Sequence, residues 1–442
     1  MLHHPGEISP RPRPGGPSRH SRLRRAAALT AVSATLCVTA APAAFAAGSP
    51  KPAAPAKLPA GLYGTKDPKF DGVWRQSVAL IAQDTVKVTP APEAVDWLAG
   101  QQCASGGFAE FRADADKVCD KKTPVDSNAT GLAVQALAAL GGHGDAVKKA
   151  VNWLKSLQNK DGGWGYYPGD PSDANSTSLV IGALIAAGEN TQDVKPRKGK
   201  TSAYEALDGF RLGCDAEKGE RGAFAYQPDK KGKLAPNADA TAAGALALVG
   251  RGLHPGRPIK SAAQDAEPLD CGSADAKDEP DTEAKAAASA AYLAATMKKT
   301  DGHLTAVAPG ADKPAPDYAN TADAVIALAA GGYLDAARSP LTWLEQHART
   351  WSKGNPAGLG SLIIAAHATG ADPRDFGGQD LVRQLNATGP KPAAQAPEEG
   401  GDAHDTEQEG GSDGMSTAWT VGAFLVAGIG IGFLISGRKK KA

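Results

Sequence analysis

Ala150-Val151-Asn152-Trp153-Leu154-Lys155-Ser156-Leu157-Gln158-Asn159-Lys160-Asp161-Gly162-Gly163-Trp164 is the stretch that decides the fold of this chain. Its first part is an amphipathic helix. Val147, Ala150, Val151, Leu154 and Leu157 recur at spacings of three and four and share one face, while Lys148, Lys149, Asn152 and Lys155 fall off that stripe toward water. Asp161-Gly162-Gly163 stops the helix, because glycine takes the open dihedrals that end one. Trp164 follows as a large anchor.

The stretch recurs. Ala94-Val95-Asp96-Trp97-Leu98 runs on through Gln102 to Gly106-Gly107-Phe108, and Trp97, Gln102, Gly107 and Phe108 match Trp153, Gln158, Gly163 and Trp164 at a constant offset of 56 residues. A matched helix, glutamine, double glycine and aromatic at fixed offset signal an internal repeat. A second element alternates with the first. Asp126-Ser127-Asn128-Ala129-Thr130, Asp173-Ala174-Asn175-Ser176-Thr177, Asn237-Ala238-Asp239-Ala240-Thr241 and Asp317-Tyr318-Ala319-Asn320-Thr321 each lead into a helix that is apolar nearly all round. The polar clusters predict helix N-caps, since short oxygen-bearing side chains satisfy the free amides of a first turn. Helices apolar all round must be buried. Alternating them with amphipathic helices predicts two concentric layers, an all-α fold of the α/α-toroid type.

Leu154, Gln158, Gly162 and Trp164 resemble the QW-type repeat of terpenoid cyclases and protein prenyltransferases, and Ala94 to Phe108 is a second good copy. Later copies are degraded: Tyr204 to Tyr226 lacks the glutamine, Met297 to Leu304 keeps only the glycine turn, and Leu341 to Gln346 keeps Trp-Leu alone. The resemblance covers roughly Gly72 to Asn386 and implies about six helix pairs, with twelve helices beginning near residues 72, 92, 127, 146, 174, 201, 238, 283, 319, 340, 357 and 372.

Flanking segments set the expected topology. Residues 1–46 read as a signal peptide, with six arginines, an apolar core from Ala26 to Ala40 and a small-residue end at Ala44-Phe45-Ala46. Residues 47–70 read as an unordered leader, 71–388 as the toroid and 389–416 as an acidic Pro/Gly-rich linker. Residues 417–436 carry no charge and at about 1.5 Å each span about 30 Å, one bilayer core. Residues 437–442 form a basic cytoplasmic tail. The expected location is therefore the cell membrane, single-pass, with the toroid extracellular. Leu385-Asn386-Ala387-Thr388-Gly389 has the outline of a sortase signal, against the simpler reading of a helix ending at Asn386.

The formal net charge of zero hides an asymmetry, because removing the signal and the last four basic residues leaves 38 basic against 47 acidic residues, a net of −9. That disfavours nucleic acid as a partner. Four cysteines remain after the signal, and shortest loops pair Cys103 with Cys119 and Cys214 with Cys271, one of three possible connectivities.

Catalytic motifs of the resembled family are missing. Neither DxDD nor DDxxD occurs, and Asp114-Ala115-Asp116 is the nearest approach. No histidine pairing suggests zinc, and Gly213-Cys214-Asp215-Ala216-Glu217 departs from a thioester motif. His367, on an apolar helix, reads as a hydrogen-bonded core histidine. No catalytic residue, metal or cofactor is therefore expected. A ligand site is expected at the mouth of the toroid, from Asp126, Asn128, Asp173, Asn175 and Asp239 with Tyr166, Tyr226 and Tyr318 beside them. Capping and turn packing explain the same positions equally well. The helix starts Asn128 to Ala133 and Asn320 to Ala324 resemble those in the α domain of transcobalamin and intrinsic factor, which implies corrinoid binding at the mouth. Three functions follow: a surface-anchored binding or interaction protein, a small-molecule capture protein (for a corrinoid or another ligand) serving a membrane transporter, and an exported cyclase- or lyase-type enzyme. Alanine-rich inner helices predict a narrow central cavity.

Overall fold

The computed structural model describes residues 58–256, 264–272, 280–307 and 312–393. The signal and membrane-span expectations lie outside these residues, as does the expected linker from residue 394 on. No helix among the described residues is long and apolar enough to cross a membrane.

The described chain is mostly helical. Its helices are α1 (Gly72–Thr85), α2 (Pro92–Gly100), α3 (Ser127–Leu140), α4 (Gly144–Leu157), α5 (Ala174–Ala186), α6 (Ala203–Asp208), α7 (Ala238–Leu248), α8 (Thr282–Lys298), α9 (Tyr318–Ala330), α10 (Leu334–His347), α11 (Arg349–Ser352), α12 (Pro356–Thr369) and α13 (Leu381–Asn386). Six of them pack in a closed cycle: α1 on α3, α3 on α5, α5 on α7, α7 on α9, α9 on α12, and α12 back on α1. The others lie outside that ring, α2 against α1, α4 against α3, α6 against α5, α8 against α7, α10 against α9, and α11 and α13 against α12. The inner helices α3, α5, α7, α9 and α12 are the apolar ones, with Leu132, Ala133, Val134, Val180, Ile181, Ala247, Val325, Leu362, Ile363 and Ile364 at most 1% exposed. Helix α4 buries Ala150, Val151 and Leu154 and leaves its lysines outside, as an outer helix must.

The repeat works through hydrogen bonds. Gln158 Nε2 donates to the Gly162 carbonyl at 2.8 Å and to that of Val194 at 3.3 Å; Gln102 Nε2 donates in the same way to Gly106 at 3.0 Å and to Ala146 at 2.8 Å. Each glutamine thus ties its own turn to the segment that follows. The glycines allow close approach. A Cβ on Gly162 would stand 2.6 Å from the carbonyl oxygens of Thr201 and Ser202, at the start of α6, and φ is +91°. Trp164 is 1% exposed, and its indole Nε1 donates to the Leu154 carbonyl.

Where a repeat ends, the next inner helix begins. The backbone amides of Phe108, Trp164, Phe224 and Leu304 donate to the hydroxyls of Thr130, Thr177, Thr241 and Thr321, at 2.8–3.1 Å. Each threonine stands four residues after its N-cap, Asp126, Asp173, Asn237 or Asp317, whose own side chain accepts from the amide three residues on. The polar clusters are accordingly caps and latches. Two short antiparallel ladders reinforce the joint, β1 (Phe108–Ala109) with β2 (Val125–Asp126) and β3 (Leu304–Ala306) with β4 (Ala315–Asp317), a small strand content that an all-α expectation omits.

Disulfides join Cys103 to Cys119 and Cys214 to Cys271, both with Cα atoms 5.6 Å apart. Three expectations need correction. Residues 61–64 of the expected leader are buried instead of unordered: Tyr63 is fully buried, its hydroxyl donates to Gln83 Oε1 and its amide to Gln76 Oε1. Helix α10 begins at Leu334, so Pro340 lies inside the helix it was expected to open. The last helix starts at Leu381, after the turn through Gly377 and Gly378, both with positive φ. At the end of the ring α13 stops at Asn386, which accepts from Gln83 Nε2 at 2.7 Å, and the Thr388 carbonyl accepts from the Gly64 amide. The pentapeptide from Leu385 to Gly389 is thereby part of the fold.

Candidate functional site

The inner helices run parallel, and their first turns gather at one end of the ring. Asn175 Nδ2, at the start of α5, donates to Asp239 Oδ2, at the start of α7. The Ala174 amide donates to the Tyr226 carbonyl and that of Ser127 to Tyr166, so the loops between repeats collect at the same end. At the other end the chain after α7 crosses beneath the ring. Leu253 N donates to Gln135 Oε1 of α3 at 2.6 Å, His254 Nε2 lies 2.8 Å from Asp84 Oδ2 of α1, and His367 Nε2 of α12 lies 3.1 Å from the Gly256 carbonyl oxygen. His367 is therefore hydrogen-bonded as expected, though half-buried at the edge of the core.

Between mouth and floor lies a cavity of about 570 Å3. The expected narrow centre is not found. Small side chains bring helices close, but they also leave the axis open: Ala242, Ala243, Gly182 and Gly358 line it and send little into it.

The residues that line the cavity follow one register. Counting from the N-cap of α3, α5, α7 and α9, positions two, six and nine residues on lie in the wall. These are Asn128, Leu132 and Gln135; Asn175, Leu179 and Gly182; Asp239, Ala243 and Leu246; Ala319, Asp323 and Ile326. Three levels result. The first turns are polar, with Asp71 and Asn320 joining Asn128, Asn175 and Asp239. The middle level mixes Leu132 and Leu179 with Ser178, Ser361 and Asp323. The third is mostly apolar, with Val78, Leu246 and Ile326 beside Gln135, above a floor of Arg251, Gly252 and Leu253.

The register divides the residues expected at the mouth. Asn128, Asn175 and Asp239 line the cavity. Asp126 and Asp173 do not; at 0% and 1% exposure their Oδ1 atoms accept from Ala129 and Ser176 at 2.6 and 2.7 Å. The tyrosines stand apart from the wall. Tyr166 donates to Glu110 at 2.7 Å, Tyr226 is 45% exposed, and Tyr318 packs at a tilt against Trp343 and stacks on Trp351. Asp323, Ser178, Gln135, Trp74 and Trp351 also line the cavity and were not singled out by sequence. The signal for Asp323 and Gln135 was the helical phase set by the caps of α9 and α3; Ser178, Trp74 and Trp351 fall outside that register.

Charge within the cavity is one-sided at the mouth. Asp71 is paired with Arg75, whose Nη1 lies 3.7 Å away. Asp239 has the Asn175 amide, and no basic side chain among the described residues forms an ion pair with it or with Asp323. Burial pushes the carboxyl of Asp323 up to about 7, with Asp239 and Asp317 adding to the effect. Asp239 is raised too, by burial first, against the Asn175 hydrogen bond, which lowers it. Among the described residues no group of three or more His, Cys, Asp or Glu is arranged to hold a metal ion.

No family model matches the chain. A stretch of 45 residues is 47% identical to drimenyl diphosphate synthase of Streptantibioticus cattleyicolor, covering 10% of this chain and 8% of that protein. A longer stretch of 138 residues is 30% identical to a squalene–hopene cyclase of Zymomonas mobilis subsp. mobilis, covering 28% of this chain and 20% of that enzyme. Among solved structures, ent-copalyl diphosphate synthase from Streptomyces platensis aligns at 16% identity and a TM-score of 0.43, over 68% of this chain and 50% of that one. The chain thus matches a fifth or less of the length of these two curated relatives.

Proposed function

We propose that this member of the terpenoid cyclase and prenyltransferase α/α-toroid superfamily is a small-molecule-binding protein that holds its ligand in the central cavity. One observation carries the proposal: the ring encloses about 570 Å3 with apolar stretches of wall and polar groups concentrated toward the mouth. Ligand sites for drug-sized molecules run from about 300 to 1,000 Å3 and have this mixture of surfaces. A corrinoid is too bulky for such a space and would have to rest on the mouth, where Asp126 and Asp173 are committed to caps. A smaller ligand is therefore the better fit.

The proposal extends to place and partner. Two disulfides support an oxidising compartment. Together with the signal at 1–46 and the apolar segment at 417–436, they favour a toroid held outside the cell by a single span. A transporter is the natural recipient of its ligand.

Titration of the full-length chain with the neutral apolar dye N-phenyl-1-naphthylamine tests the central claim. Saturable fluorescence enhancement is expected, and Ala243→Trp, which sets an indole into the cavity, should reduce it at least tenfold. Enhancement that survives Ala243→Trp would refute a ligand at this position.

A second function, an exported cyclase-type enzyme, is favoured by Asp323. A carboxyl with a pKa of about 7 in a largely apolar cavity keeps part of its proton at neutral pH and could pass it to an alkene. Turnover of a polyprene that Asp323→Asn abolishes would establish this activity; no turnover would leave binding alone.

A further inference from the structure

We infer that the ligand of the central cavity is an amphiphilic organic cation, an ammonium group on an apolar body, with its charged end between Asp239 and Asp323. The inference rests on the binding function proposed above and specifies its chemistry.

Asp239 and Asp323 belong to neighbouring inner helices, α7 and α9, and both line the cavity. Their hydrogen-bond complement is short. Asp239 Oδ2 accepts from Asn175, and no donor among the described residues reaches Asp323. Asp317, close enough to influence both, already caps α9 and accepts from Asn320 Nδ2. The basic groups near the wall are occupied or distant. Arg75 serves Asp71 and the Lys66 carbonyl. Arg251 lies past the C-terminal end of α7, roughly 14 Å along the helix axis from Asp239. A second sign of an absent donor comes from α5. Ser178 is 5% exposed, lines the same cavity, and its hydroxyl has no hydrogen-bond partner.

Two half-buried carboxylates in one cavity, with no basic partner among the described residues, favour a counter-charge or a proton. An ammonium ligand supplies both charge and N–H donors for the two carboxylates, with Ser178 in the wall of the same cavity. An anion would add like charge to the cluster, and a neutral alcohol could satisfy one acceptor only. Below, Leu132, Leu246 and Ile326 give the apolar body of the ligand its contact.

The test uses three molecules of equal length, decylammonium, decanol and decanoate, each competing with N-phenyl-1-naphthylamine on the full-length chain at pH 8. Decylammonium is expected to bind at least tenfold more tightly than decanol, with decanoate weakest. The double substitution Asp239→Asn and Asp323→Asn should shrink the decylammonium-to-decanol ratio to within threefold. Because the rank order is read on the parent chain, it holds even if that variant fails to fold, and Ser178→Ala supplies a milder variant, expected to reduce the ratio about threefold. Equal binding of ammonium and alcohol, or tighter binding of decanoate, would overturn the cation while leaving the binding function intact. No displaceable dye binding would overturn both.

Discussion

Replacing Thr241 by valine isolates what the latch between repeats contributes. Thr241 is fully buried. Its hydroxyl donates to the Asn237 carbonyl at 2.6 Å and accepts from the Phe224 amide at 2.9 Å. Valine keeps the shape and removes both bonds. The Asn237 carbonyl remains satisfied, because the Thr241 amide also donates to it, at 2.9 Å, and valine retains that amide. The Phe224 amide has no such reserve, and Phe224 is 0% exposed. An unsatisfied buried amide costs about 1–3 kcal/mol, so about 2 kcal/mol is expected. With an m-value of about 3 kcal/mol per molar urea, that lowers the unfolding midpoint by about 0.7 M. Thr241→Ser is the control, since it keeps the hydroxyl and loses one methyl, about 0.8 kcal/mol. Urea titrations followed by tryptophan fluorescence give both numbers. If valine unfolds within 0.1 M of the parent while serine falls below it, the hydroxyl is not the latch and the four-fold threonine pattern needs another cause.

Further outcomes are expected elsewhere. The Asp323 carboxyl is raised to about 7 in the fold from an ordinary 3.8. The folded chain therefore holds an extra proton between those values, and stability falls as pH rises through that window. Asp323→Asn should flatten this part of a urea-midpoint-against-pH curve and be more stable than the parent at pH 8, the gap closing toward pH 4. Gly162→Ala adds a steric clash to the strain of positive φ, whereas Gly188→Ala, at φ +75° with nothing within 4 Å, adds strain alone. Thermal melts should show the first variant losing at least twice as much as the second. Cys214→Ser with Cys271→Ser opens a loop of 57 residues and should cost about 4 kcal/mol, against about 3 for the 16-residue loop of Cys103 and Cys119. Denaturation with and without reductant compares the two.

What could be seen in the sequence was what depends on short spans. Trp153, Gln158, Gly162 and Trp164 declare themselves because each does a distinct job within a dozen residues: the glutamine bonds its own turn, and Trp164 donates back to Leu154. Asp126 and Asp173 were legible as caps for the same reason, and the cysteines because two loops were short. The cavity was harder. Asp323 reaches it only through the phase of α9, and that phase has meaning only once parallel helices have closed on a common axis. Ser178 gains significance from a partner it lacks, which no local pattern can display. Residues 58–70 were obscured by their setting: a Pro-, Ala- and Gly-rich composition hid Tyr63, whose partners Gln76 and Gln83 lie in the next helix. Pro340 imitated a helix start, because proline suits a first turn, yet here the helix continues through it.

The clasp of Gly64 on Thr388 and of Gln83 on Asn386 bears on how such a chain can be rearranged. In a linear solenoid the terminal repeats must be polar outside, because each has a neighbour on one side only. Here the first repeat and the last cover one another, so neither is an end in the physical sense. Cutting the chain between two outer helices and splicing residue 393 to residue 58 through a short linker should give the same ring with a new starting point. The order in which the repeats are synthesised then becomes a property of the gene, while the ring itself has no beginning.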